Sequence, residues 1–105
     1  MAYVPQDVGE LLAYLAHMML AAPKFKTRLL PRENMDTTFS SLNEGLLIIR
    51  SKVGEDRYTT LRALSDKMRA LFEADPEDKT GDAQAGREII HEMEVILRSK
   101  RGGSK

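Results

Sequence analysis

Residues 39–53 read FSSLNEGLLIIRSKV, and their apolar pattern decides the fold. Phe39, Leu42, Leu46, Ile49 and Val53 recur at alternating spacings of three and four, the seam of an amphipathic helix. Leu47 and Ile48 fall off that seam. At about 100° per residue, Ile48 points roughly 140° away from its centre. One covered face cannot dry such a helix, so the pattern predicts cover on two sides, with the other helices packed around it.

Before this stretch, Asp7 and Glu10 have the spacing of a capping box and predict a helix start. Val8, Leu11, Leu12, Leu15, Met18, Met19 and Ala22 follow as a broad apolar face, and Pro23 marks its end. Glu10 and His17 share a polar line opposite that face, with Tyr14 beside it. Residues 24–35, KFKTRLLPRENM, have no clean period and read as a long connection. Asp36 or Thr37 is the expected cap of the second helix, and Gly54 its stop. Gly45, inside that helix, is a candidate for close helix approach.

Beyond Gly54, Glu55 and Asp56 open a third helix, and Tyr58, Leu61, Leu64, Met68, Leu71 and Phe72 form its stripe. The short break predicts an antiparallel hairpin with the second helix. Asp75-Pro76 ends it, and a polar acidic loop follows. Thr80 or Asp82 is the expected cap of a fourth helix, with a stripe of Gly86, Ile89, Ile90, Met93, Ile96 and Leu97. Glu94 and Arg98 stand at i,i+4 in the favourable order. The expected fold is therefore all-α: a compact four-helix up-and-down bundle with a long first connection. A single domain is expected over residues 1–101, with 102–105 as a flexible tail.

Composition narrows the function. The 105 residues are 42% hydrophobic and 30% charged, which fits a globular chain. Sixteen basic and sixteen acidic residues give a net charge of zero, so bulk attraction to nucleic acid or an anionic membrane is not indicated. There is no cysteine, which removes thiol chemistry and favours a reducing, cytoplasmic setting. The N-terminus lacks the basic start of a signal peptide, and no apolar run has the length of a membrane span.

Few residues suggest chemistry. Glu88 and His91 have the Glu-x-x-His spacing of di-iron bundles, yet both project away from the apolar stripe, so no metal site and no cofactor are expected. The acidic loop lacks the calcium-loop pattern. His17 is the alternative for phosphotransfer or an enzyme, on a helix otherwise nearly free of charge. Lys24, Lys26, Arg28 and Arg32, interleaved with Phe25, Leu29 and Leu30, are the alternative for nucleic-acid or anion binding. The stronger signal is surplus apolar surface. Leu47 and Ile48 on the second helix, and Ala13, Ala16 and Leu20 on the first, exceed what one covered face needs. Six methionines add adaptable contact surface. The expectation is a non-enzymatic protein-interaction module (an adaptor, regulator, chaperone-like or toxin-neutralising protein) acting by helix–helix association, with a homodimer as the leading assembly.

Overall fold

The computed structural model describes residues 3–22 and 34–99. Among them are five helices and no strand: α1 (Val8–Ala21), α2 (Met35–Ile48), α3 (Arg50–Val53), α4 (Glu55–Ala74) and α5 (Asp82–Arg98). The radius of gyration is 13.5 Å, close to the roughly 13 Å of a compact domain of this length. The fold is all-helical as expected, but the helix count differs by one. Residues 39–53 are not a single helix, because α2 stops at Ile48 and a separate four-residue turn follows.

Ile49 makes that break. Its φ of −91° and ψ of 4° lie in the bridge region, outside the helical well. The seam survives the bend: Ile49 and Val53 are both buried, and α3 packs against α4. Gly54 closes the turn at a φ of 95°, a left-handed backbone that glycine adopts without strain.

Three caps show how local chemistry and tertiary contact share the work. Asp7 caps α1 as expected, accepting from the Glu10 backbone N–H at 2.8 Å. Glu10 does not return the bond to Asp7; its carboxylate takes the N–H of Gln6, one residue earlier. The cap of α2 is Asn34, not Asp36 or Thr37. Asn34 and Thr37 exchange bonds of 2.9 Å in a reciprocal capping box. Gly81 precedes α5 with no side-chain cap of its own. Asp75 instead reaches across the loop to the Ala83 N–H at 3.0 Å, while Thr80 takes that of Asp82 at 3.3 Å.

Neighbouring helices run in opposite directions. Leu11 of α1 lies beside Gly45 of α2, while Tyr14, further along α1, donates its hydroxyl to the carbonyl of Thr38, earlier in α2. Asp36 meets Arg69, and Asn43 accepts from Ser65 at 2.7 Å, so α2 and α4 are antiparallel. Arg57 reaches the Ser99 carbonyl, and Phe72 lies against Gly86, so α4 and α5 are antiparallel too. The most extensive packing is between α4 and α5, with α2 on α4, α1 on α5, and α1 touching α2. The helix expected at the centre is therefore not the hub. It is covered on two sides, but Leu47 and Ile48 remain exposed because they sit at its end, where the chain bends away.

Both interior glycines mark close approach. A Cβ on Gly45 would stand 2.9 Å from Pro5 Cγ, and one on Gly86 only 2.7 Å from Phe72 Cε1. The core is otherwise the expected stripes, from Leu11, Leu15 and Met18 through Phe39, Leu42 and Leu46 to Leu61, Met68, Phe72, Ile90 and Met93. Tyr14 joins them, buried rather than flanking the polar line.

Candidate interaction surface

The apolar surplus on α2 stays in water. Leu47 is 52% and Ile48 44% exposed, beside each other at the end of the helix. They line an open depression of about 410 Å³ with Arg50, Ser51, Gly54 and Glu55. It lies where α2 gives way to α3 at Ile49.

A charged rim borders this corner. Arg50 binds Glu55 in a two-pronged ion pair at 2.8 and 2.9 Å. The Arg50 guanidinium also lies 4.9 Å from the centre of the Tyr58 ring, a cation–π contact. The hydrogen bond from Arg50 lowers the Glu55 carboxyl below its ordinary range, against the opposing effect of burial. Both partners are largely solvated, so the pair orients the rim and adds little to stability. The corner is a mixed surface: two apolar side chains, with an already neutralised ion pair at their edge.

The α1 candidates form a second surface. Ala13 and Ala16 are exposed, and Leu20 is 87% exposed. Because α1 and α2 are antiparallel, Leu20 lies toward the start of α2, whereas Leu47 and Ile48 lie toward the start of α1. The five residues therefore do not converge on one patch. Sequence periodicity could find each set, but only the relative direction of the helices separates them.

The remaining candidates divide clearly. His17 is exposed, its ring 6.4 Å from that of Tyr14. Glu88 and His91 both point to solvent, as expected; His91 stands 3.5 Å from Glu94, so Glu94 meets His91 and not Arg98. Among the described residues no group of His, Asp and Glu is arranged to hold a metal. None of their helices is long and apolar enough to cross a membrane. Lys24, Lys26, Arg28 and Arg32 lie outside the described residues.

Two features escaped the sequence reading. Asp75 is 2% exposed and accepts backbone N–H bonds from Lys79 at 2.7 Å, Thr80 at 3.2 Å and Ala83 at 3.0 Å. These bonds, that of Ala83 foremost, hold its carboxyl at about 2 against the upward push of burial. Its role is to fold the acidic loop. Arg87 pairs with Asp78 at 2.8 Å and reaches the Ala22 carbonyl at 3.5 Å, tying loop and α5 to the end of α1. Neither contact could be anticipated from spacing, since Arg87 and Ala22 are 65 residues apart.

Comparison with family models, curated proteins and solved structures gave no match. Geometry and chemistry alone carry the functional reading.

Proposed function

We propose that this chain is a small, non-enzymatic protein-interaction module, an up-and-down bundle of four long helices that works by helix–helix association in the cytoplasm. The observation that carries the reading is the exposure of Leu20, Leu47 and Ile48, at 87%, 52% and 44%, on α1 and α2. Scattered exposed apolar residues are ordinary. These are grouped on two helices, one group beside an open depression and the other on a helix with a single carboxylate among its fourteen residues. Burial against another helix would release about 25 cal/mol per Å² of apolar surface. A second copy of the chain is the simplest partner.

Ile48→Asp and Ala16→Asp test the reading separately. Both positions are exposed, so each change costs folding about 1 kcal/mol, mainly through helix propensity and the helix dipole. Each variant keeps the wild-type circular dichroism at low temperature, and at least one loses association by tenfold or more, about 1.4 kcal/mol. Association unchanged in both variants, read by light scattering, would remove the basis of the proposal.

A further inference from the structure

The outer face of α1 is a seam in its own right. Gly9, Ala13, Ala16 and Leu20 follow one another at spacings of four, three and four, and all four are exposed. This repeats the a/d rhythm of the buried seam on the opposite side of the same helix. Half-buried Leu12 and Met19 extend it on one flank; Glu10 and His17 line the other.

We propose that this face is a self-association seam on which α1 of a second copy packs antiparallel. The inference rests on the association reading above and names the occupant of one of its two surfaces. Size complementarity sets the register. With the two-fold axis level with the midpoint of Tyr14 and Leu15, Ala13 faces Ala16 of the second copy. Leu20, the most exposed large apolar side chain described, then lies over Gly9, which has no Cβ and, by its surroundings, room for one.

Polar complementarity, a carboxylate acceptor set against an imidazole donor, agrees with this register. In an antiparallel pair the same flank of each helix meets across the interface. Glu10 and His17 of the second copy then stand about two residues apart along the axis, roughly 3 Å at the helical rise. Both hydrogen bonds to Glu10, from Tyr3 and Gln6, end on Oε1. The other carboxylate oxygen has no hydrogen bond among the described residues and is left to accept one from the second copy's imidazole. A parallel pair would instead bring like flank residues to one level and leave Leu20 against Leu20. The corner at Leu47 and Ile48 takes no part and remains open on each copy.

The chain has no cysteine, so engineered thiols report the register without background. A13C and A16C proteins are prepared separately, mixed, and oxidised at equilibrium. From an equimolar mixture, the mixed disulfide is expected well above the twofold excess over either like-with-like product that random pairing gives, and light scattering of the wild type should show a dimer. Ala16→Asp is expected to halve the mass with helicity unchanged, whereas Ile48→Asp leaves the dimer intact. His17→Glu, which sets a carboxylate against Glu10, is expected to weaken the dimer several-fold, and His17→Lys to preserve it. A dimer that yields only like-with-like disulfides, or that Ile48→Asp disrupts while Ala16→Asp does not, overturns this seam and leaves the association reading standing. A wild-type monomer at every concentration overturns both.

Discussion

Asp75 folds the loop between α4 and α5. Its carboxylate replaces the solvent that the Lys79, Thr80 and Ala83 N–H groups would otherwise bind. Its ordinary value of 3.8 falls to about 2 in the fold. A carboxyl lowered on folding stabilises the folded state above its unfolded value and loses that contribution as pH drops through the folded one. The stabilisation is therefore complete above about pH 4 and fades toward pH 2. Asp75→Asn is expected to lower the urea midpoint at neutral pH, and its midpoint should vary less than the wild type's between those limits. Equal acid sensitivity in the two proteins would mean that another carboxylate governs the loop. Sequence alone marked residue 75 only as a helix stop, because its partners lie up to eight residues ahead and become partners only once the loop is closed.

At the scale of elements, the α4–α5 pair is the most extensively packed and the least forgiving. Phe72 is fully buried and its ring fills the space beside Gly86. Gly86→Val would force a branched side chain into that contact, an overpacking that costs about 1–3 kcal/mol. The expected result is a lower midpoint in urea unfolding, with Phe72→Leu partly restoring it. A valine tolerated without loss would show that the two helices can slide apart. Gly86 was legible as part of a stripe, and its closeness to Phe72 was not, since helix pairing is a long-range property. The bend at Ile49 was hidden for a related reason: the seam runs through it unbroken, and only packing on α4 reveals the change of direction. Helix type and buried face, by contrast, follow from spacings that a 3.6-residue period imposes on any solvated helix.

For the whole molecule, net charge zero and a covered core leave the uncovered apolar surfaces as its distinguishing feature. The sequence singled out Leu47, Ile48, Ala13, Ala16 and Leu20, and all are exposed in the structure. What it could not give was their division into an α1 seam and an α2 corner, which depends on how antiparallel neighbours are placed. Under the association proposed above, the α1 seam pairs the chain with itself and the corner at Arg50 and Glu55 stays open. Ile48→Asp and Ala16→Asp therefore have distinct expected outcomes, although both sites are exposed.

The most direct test is the absolute mass in solution, by light scattering across a dilution series of the wild-type chain. The expected result is a dimer that dissociates to monomer on dilution. Monomer mass at every concentration would contradict self-association as the basis of its function.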